Sequence, residues 1–398
     1  MPPFLCVFLT LLQIWPMYQL RPDHNAVVAS NERAVPWMRP LSGKINGGLA
    51  LAGGALFAET FAPAVVALDA HTGRVRWSTA VPNVVMTTPI VSDGLVIVGT
   101  GTSDVLVQPG PLVWGRPGGD KVIALDARTG RIRWRRSTLG EDMPSPALVR
   151  IGLQDAIVFA NGDNHLRALS VRDGHPIWMR AVRGIDSMSS AASDGNRVYL
   201  LVGTGMHSGL HDRILAIDPR NGNTLWSAPF GNADCSPTVA YGRVFVEGSA
   251  GDARGGFNDV AAVDQLNGKL RWRWYSGYGT FTSRGSDEEA IAGLASDGAF
   301  YESIPATNQF MAFDAFSGRV RWAMRTNAAV KMSAVEAGGR LYFGDTGNTF
   351  YVVDARTGRT ISRHRFPSYF TASPPLIVGG TLYIANDDVV RAIPLSSW

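Results

Sequence analysis

The stretch VVALDAHTGRVRW (residues 65–77) contains the pattern that decides the fold. An alternating apolar strand ends in aspartate, a turn with Thr-Gly follows, and a second short strand ends in tryptophan. Six further copies are VIALDARTGRIRW (122–134), LRALSVRDGHPIW (166–178), ILAIDPRNGNTLW (214–226), VAAVDQLNGKLRW (260–272), MAFDAFSGRVRW (311–322) and YVVDARTGRTIS (351–362), and VVRAIPLSSW (389–398) is a degenerate eighth. Repeats at intervals of 40 to 57 residues indicate the blades of a β-propeller.

Each repeat predicts one blade of four short antiparallel strands, which we call A to D in chain order. In the second repeat these strands cover 87–92, 95–99, 121–126 and 131–136. In the C–D turn the Asp or Thr side chain can bond the turn backbone, and glycine takes the positive φ. One blade cannot bury both of its faces, so the blades are expected to stack radially and close into a ring.

Closure of the ring can be predicted from the last repeat, which provides strands A, B and C (373–393) but no strand D. The segment AVPWMRP (34–40) carries Trp37 and fits the missing strand. We therefore predict an all-β fold, an eight-bladed β-propeller of four-stranded antiparallel blades whose last blade is closed by the N-terminal strand. Seven indoles would then fill the seams between blades: Trp37, Trp77, Trp134, Trp178, Trp226, Trp272 and Trp322.

The first residues predict an export segment. Residues 4–15 (FLCVFLTLLQIW) form an apolar run of the length of a secretory signal core, too short to span a bilayer. No basic residue precedes the run, so a mis-assigned start codon is the alternative. We expect residues 1–28 to be an export signal or lead-in, residues 29–398 to be one propeller domain, and the protein to be periplasmic or secreted. Removal of the segment would leave Cys235 as the only cysteine and allow no intrachain disulfide.

Composition and charge exclude several classes of protein. With 45% hydrophobic and 18% charged residues, the chain can form a packed core. The 37 Lys and Arg against 33 Asp and Glu give a net charge of only +4, without a basic block, so a nucleic-acid partner is not expected. No stretch reaches the ~20 apolar residues of a transmembrane span. We expect a monomer.

The A-x-D-x-x-T-G-x-x-x-W phrase resembles the tryptophan-docking repeat of the pyrroloquinoline-quinone (PQQ)-like propellers, within the WD40-like and quinoprotein superfamily. The resemblance covers residues 15–398, almost the whole chain. It implies relatedness to quinoprotein alcohol dehydrogenases and to the propeller lipoprotein of the outer-membrane β-barrel assembly machinery. The motif implies the fold and not the activity, because scaffold and enzyme members share it.

Loop length favours one rim of the ring as the functional face. The B–C and D–A connections share a rim, which we call the B–C/D–A face, and they include the long segments 101–120, 203–213, 248–259 and 275–289. Loops on a rigid scaffold commonly carry binding sites. The alternative is that these loops only cover the channel mouth.

A second candidate site is a collar at the entry to each strand A. Soft or aromatic side chains at this position could form a seat for a flat ligand or a peptide side chain, or they could simply fill the core. The collar residues are Met86, Met143, Met188, Cys235, Phe281, Met332 and Phe370.

Catalytic motifs are mostly absent from the sequence. The quinoprotein dehydrogenases need a calcium or lanthanide ion beside PQQ, an aspartate base and two adjacent cysteines, and this chain has no adjacent cysteine pair. Residues 249–272 resemble a segment of those enzymes that carries a metal-binding glutamate, with Asp252 at the Glu place and Arg254 near an Arg place. Asp142, Asp252 and Arg254 are thus candidates for an atypical site. His207 and His211 are weaker metal-binding candidates, as is Asp252 itself.

These observations predict a non-catalytic exported propeller that binds a protein or peptide through its B–C/D–A face, without a cofactor. The alternative is a PQQ-dependent alcohol or sugar dehydrogenase that uses PQQ and Ca²⁺ at an atypical site.

Overall fold

The computed structural model describes residues 27–28, 35–83, 87–101, 121–138, 144–161, 163–182, 189–203, 212–230, 235–252, 255–279 and 292–398. These residues form 33 strands and two short 3₁₀ helices. No helix within these ranges is both long and apolar enough to cross a membrane.

The first two strands of the described residues precede the consecutive blades; they are β1 (Val27–Val28) and β2 (Trp37–Pro40). The first four blades contain β3 (Ala50–Ala52), β4 (Ala55–Thr60), β5 (Ala64–Asp69) and β6 (Val75–Ala80); β7 (Ile90–Ser92), β8 (Leu95–Thr100), β9 (Lys121–Asp126) and β10 (Ile132–Ser137); β11 (Ala147–Ile151), β12 (Gln154–Asn161), β13 (His165–Ser170) and β14 (Pro176–Ala181); and β15 (Ala192–Ser193), β16 (Val198–Val202), β17 (Arg213–Ile217) and β18 (Thr224–Pro229).

The last four blades follow the same order. They contain β19 (Thr238–Ala240), β20 (Arg243–Asp252), β21 (Gly255–Asp264) and β22 (Leu270–Tyr275); β23 (Leu294–Ser296), β24 (Ala299–Ile304), the 3₁₀ helix η1 (Pro305–Thr307), β25 (Gln309–Asp314) and β26 (Val320–Arg325); β27 (Val335–Ala337), β28 (Arg340–Gly344), β29 (Thr349–Asp354) and β30 (Thr360–Arg365); and β31 (Leu376–Val378), β32 (Thr381–Asn386), β33 (Val389–Pro394) and the 3₁₀ helix η2 (Leu395–Ser397).

Eight sheets, each with four antiparallel strands in the order A to D, confirm the predicted eight-bladed propeller. Blade 8 has the order β31-β32-β33-β2, so its outer strand comes from the start of the chain. Trp37 pairs with Ala392 and Pro40 with Val389. The predicted closure by the N-terminal strand is therefore confirmed.

Blade 7 has a fifth strand that the sequence did not predict. Strand β1 pairs in parallel with β27, with Val27 opposite Glu336 and Val28 opposite Ala337. Because β27 is the innermost strand of its blade, β1 lies at the channel-side edge. Two residues that we assigned to the lead-in segment thus form part of the ring.

The indoles fill the blade seams as predicted. Each indole N–H donates to a backbone carbonyl of the next blade, as Trp178 Nε1 does to Pro219 O at 2.7 Å. The indole ring of Trp178 also covers Gly222, the turn glycine of blade 4. A Cβ added to Gly222 would lie 2.6 Å from Trp178 Cε3. The other six acceptors are the carbonyls of Ala70, Ala127, Val171, Gln265, Ala315 and Ala355.

The seam between blades 7 and 8 differs, because Ser362 stands at the tryptophan position opposite Val352. Trp398, just after η2, packs onto blade 7 instead. Its ring centroid lies 4.4 Å from that of His364 and 5.2 Å from that of Phe350. An indole from a different part of the chain therefore fills this seam.

The C–D turns are held by their aspartates. Asp69 Oδ1 accepts hydrogen bonds from the backbone N–H and the hydroxyl of Thr72, each at 2.9 Å. Arg76 donates to Asp69 Oδ2 at 2.8 Å, and this bond, together with those from Thr72, lowers the pKa of Asp69 to about 2 despite partial burial. The carboxylate thus stays charged and keeps capping the turn across the ordinary pH range.

Candidate functional site

Blade 5 carries a structured extension on the B–C/D–A face. Strands β20 and β21 are ten residues long and remain paired out to Asp252 opposite Gly255. The sequence predicts a long loop at 248–259, whereas the described residues of this stretch are strand. We call residues 248–252, 255–259 and 275–279 the braced hairpin.

The brace is the segment after strand β22. Gly279 N–H donates to Gly256 O at 2.7 Å, and Gly256 N–H donates to Gly279 O at 3.1 Å. Gly279 also abuts blade 6, where an added Cβ would lie only 1.5 Å from Ala306 O. Only glycine allows this close approach, which fixes the hairpin against the neighbouring blade.

Aromatic side chains are exposed on this rigid backbone. Tyr275 is 54% exposed and Tyr278 is 43% exposed. The ring of Phe257 lies 6.3 Å from that of Tyr275 and 5.6 Å from that of Tyr278, measured between centroids. The Arg273 guanidinium lies 5.0 Å from the Tyr275 centroid, a cation–π contact. Such a surface can contact apolar groups and also offer phenolic hydrogen bonds.

Two buried carboxyl groups lie beneath the hairpin, Glu247 on β20 and Glu302 on β24. Asn258 Nδ2 donates to Glu247 Oε1 at 2.5 Å, and Asn258 Oδ1 accepts from Ala306 N–H at 2.8 Å. Burial raises the pKa of Glu247 to about 8, against the effect of the Asn258 bond. Burial, and then the charge of Glu247, raises the pKa of Glu302 well above its usual range. This acid pair is therefore mostly protonated at neutral pH.

An ion pair anchors the base of the hairpin. Arg273 Nε donates to Asp259 Oδ1 at 2.8 Å. Burial raises the pKa of Asp259, and the bond from Arg273 opposes that rise. The guanidinium also lies 5.4 Å from the Phe230 centroid, so it links the hairpin to the end of blade 4. Arg273 thus contacts both a charged and an aromatic partner.

Three of the collar residues lie within the described ranges, and all three are buried. Cys235, Met332 and Phe370 are each 1% exposed. Cys235 Sγ accepts from Glu247 N–H at 3.0 Å, and Met332 Sδ from Gly344 N–H at 3.1 Å. The other four collar residues, Met86, Met143, Met188 and Phe281, lie outside the described residues. The role of the collar as a ligand seat stays a prediction.

The corresponding hydrogen bonds in blades 2 and 4 reach hydroxyl groups. Gly99 N–H donates to Thr87 Oγ1 and Leu201 N–H donates to Ser189 Oγ, each at 3.2 Å. These acceptors come one residue after Met86 and Met188. In blades 2 and 4, the residue that accepts this hydrogen bond is therefore the one after the predicted collar residue, whereas in blades 5 and 7 it is the collar residue itself.

A belt of hydroxyl groups follows the collar position and was missed by the sequence analysis. In each case a backbone N–H of one blade donates to a Ser or Thr hydroxyl of the next, as Thr88 N–H does to Ser145 Oγ at 2.8 Å. The signal in the sequence is a Ser or Thr two residues before strand A in blades 2, 3, 4, 5 and 7. The other such pairs are Gly48–Thr88, Ser145–Ser190, Ser190–Ser236 and Ala292–Ser333.

The candidates for metal or quinone chemistry are not brought together by the described residues. Asp142, Arg254, His207 and His211 lie outside them, and Asp252 is placed only by its backbone at the end of β20. No group of three or more His, Cys, Asp or Glu side chains in the described ranges is arranged to hold a metal ion. The atypical site stays a prediction.

The ring of docked indoles and Asp-x-x-Thr-Gly turns defines a PQQ-like repeat propeller. The profile of the family described as outer membrane protein assembly factor BamB matches residues 23–199, 183–301 and 306–396. The chain belongs to this family.

Curated relatives have two different names. A tetrathionate hydrolase of Acidithiobacillus ferrooxidans is 24% identical over 86% of this chain and 71% of its own length. A tetrathionate hydrolase of Acidianus ambivalens is 23% identical over 98% of this chain and 86% of its own length. The assembly factor BamB of Yersinia pestis is 26% identical over 52% of this chain and 60% of its own length. Relatives thus include both an assembly factor and a hydrolase.

Solved structures show the same fold. BamB of Moraxella catarrhalis superposes with a TM-score of 0.62 at 19% identity, covering 89% of this chain and 98% of that one. The quinohemoprotein alcohol dehydrogenase of Comamonas testosteroni gives 0.70 at 12% identity, covering 96% and 80%. At these identities the likeness concerns the fold alone.

Proposed function

We propose that this chain is an exported, non-catalytic scaffold that binds protein segments through its B–C/D–A face, with the braced hairpin as the main contact. The observation that carries the proposal is the exposure of Tyr275 and Tyr278 on a backbone fixed to two blades. Exposed aromatic residues on a preorganised surface lose little entropy on binding and are frequent binding hot spots.

The partner that fits this surface is an unfolded outer-membrane β-barrel polypeptide in the periplasm. The family description, outer membrane protein assembly factor, supports such a partner. Strands of membrane barrels carry aromatic girdles, which could stack on the tyrosines. Arg273 beside Tyr275 adds a fixed cation for polar groups of the same segment. Binding by a single propeller requires no second copy, which agrees with a monomer.

The test compares two tyrosine substitutions with a matched exposed aromatic on the opposite rim. We expect Tyr275→Ser with Tyr278→Ser to weaken binding of a urea-unfolded outer-membrane barrel protein, diluted into buffer, by about tenfold or more, since hot-spot truncations cost roughly 1–2 kcal/mol or more. Fluorescence anisotropy of the labelled polypeptide measures the affinity.

Phe316→Ser is the control, because Phe316 is 52% exposed in the C–D turn of blade 6, away from the B–C/D–A face. It should change the affinity less than about twofold, within the range of surface residues that are not hot spots. Equal binding by the wild type and the double variant, or no binding by either, would contradict the proposal.

A second candidate function is hydrolysis of tetrathionate, favoured by the two hydrolase relatives that align with 86% and 98% of the chain. Ion chromatography of tetrathionate incubated with the purified protein separates the two proposals, since a scaffold leaves its concentration unchanged. The dehydrogenase alternative is separated by incubation with PQQ and Ca²⁺, where stoichiometric uptake with dye reduction by alcohols or sugars would replace the scaffold proposal.

A further inference from the structure

The channel-side edge of β27 already holds an extended segment of this chain. Strand β1 forms two residue pairs on it, Val27 with Glu336 and Val28 with Ala337. Among the described strands, no other innermost strand has a neighbour on its channel side. The inner edge of blade 7 is thus the place where the ring accepts an added strand.

The acceptor strand is rigid and enclosed. Val335, Glu336 and Ala337 are all buried, and all three pair with β28 on their other side. A peptide on this edge therefore adds to a preformed sheet. Main-chain hydrogen bonds would provide the affinity, as in other cases of strand addition.

One side chain of this strand has unused hydrogen-bonding capacity. Glu336 Oε1 accepts from Gly339 N–H at 3.1 Å. Glu336 Oε2 is buried and has no hydrogen-bond partner among the described residues. A buried acceptor left unsatisfied costs free energy, so a donor brought by a bound peptide at this register position would be favoured.

Strand β1 makes few contacts with β27, but a short stretch of chain joins it to the ring. Two pairs of parallel residues are far fewer than an independent strand pairing needs. Only the residues between Val28 and Trp37 separate β1 from β2, which is fixed in blade 8. Because so few residues join β1 to the ring, the effective concentration of β1 at the edge of β27 is in the millimolar range. Weak contacts at a high local concentration are suited to exchange with a partner.

We propose that the inner edge of β27 is an acceptor site for extended, β-branched peptide segments added in parallel, and that Val27–Val28 is its internal occupant. The chain's own segment thereby competes with a segment of a partner protein. This site is separate from the braced hairpin and does not depend on the function proposed for it.

The test removes the internal occupant and offers its sequence in trans. Val27→Pro with Val28→Pro removes the backbone N–H groups of β1, so it cannot pair. A labelled synthetic peptide, DHNAVVASNE (residues 23–32), is then titrated by fluorescence anisotropy. We expect the variant to bind the peptide about tenfold or more tighter than the wild type, because the intramolecular competitor is gone.

Two controls make the result specific. Val35→Pro, outside both β1 and β2, should bind the peptide as weakly as the wild type. A peptide with proline at the two valine positions should not bind any of the proteins. Thermal melting checks that the Val27→Pro, Val28→Pro variant stays folded, which we expect because blade 7 keeps its four other strands.

Equal binding of the peptide by the folded double-proline variant and the wild type would overturn the proposal. Tyr275→Ser with Tyr278→Ser, combined with the proline substitutions, should leave peptide binding unchanged. Failure of the acceptor site and failure of the hairpin function are therefore seen in separate measurements.

Discussion

Replacing Trp178 by alanine should lower the free energy of unfolding by about 3 to 5 kcal/mol, the range for large aromatic truncations in a core. The substitution removes a nearly buried indole from the seam between blades 3 and 4 and leaves the carbonyl of Pro219 without its donor. It also opens a cavity above Gly222, which the indole ring covers. Urea titration followed by circular dichroism measures the loss.

A pair of glycine substitutions checks that the indole contact, and not the turn alone, is responsible. Gly222→Ala and Gly94→Ala both place a Cβ at a positive φ, +73° and +72°. At Gly222 the Cβ also meets the Trp178 ring, whereas nothing lies within 4 Å of it at Gly94. Gly222→Ala should therefore be the more destabilising by about 1 kcal/mol or more. Equal losses, or an unchanged stability of Trp178→Ala, would contradict the role of the indoles.

The second large effect is a fall in stability as the pH rises from 5 to 8. Burial keeps Glu247 protonated in the folded state up to a pKa of about 8, while in the unfolded chain it ionises near 4.5. Between these values the unfolded state has released the proton and the folded state has not, so each pH unit destabilises the fold by about 1.4 kcal/mol for this group. Glu302, whose pKa is also raised by burial, acts in the same direction.

Melting temperatures of Glu247→Gln and the wild type between pH 5 and 8 test this linkage. The amide keeps an acceptor for Asn258 but does not ionise, so the variant should show a shallower decline and be the more stable of the two at pH 8. Asp354→Asn is the control, since hydrogen bonds from Thr357 lower the pKa of Asp354 and the group stays ionised throughout this range. It should shift all temperatures without changing the slope. A wild-type melting temperature independent of pH would contradict the assignment.

The fold could be predicted because its determinants are local and repeated. The aspartate, the glycine and the tryptophan of each copy act within one turn and one seam, and each of them recurs in at least six of the seven copies. Closure by Trp37 followed from counting, because one blade lacked a strand and one unassigned segment had the matching residue.

Features that depend on distant contacts could not be predicted. Val27–Val28 is too short to show a strand pattern, and its pairing depends on the open edge of β27. The glycine-rich stretch of the braced hairpin resembles a loop, because its strand pairing relies on Gly279 and on blade 6. Glu247 and Glu302 come together only because their strands face the same seam. Their burial has no signal in the sequence around either residue.

Pairing of β2 with β33 has a consequence for the order of folding. The strand-pairing partner of Trp37 is Ala392, which lies 355 positions later in the sequence. Until the last blade has formed, the folding propeller is an open arc with a strand edge and a blade face uncovered, a state prone to aggregation. Contacts of such long range also form slowly. We therefore expect chaperone dependence to be greatest while the last blade is still missing, just before the ring closes.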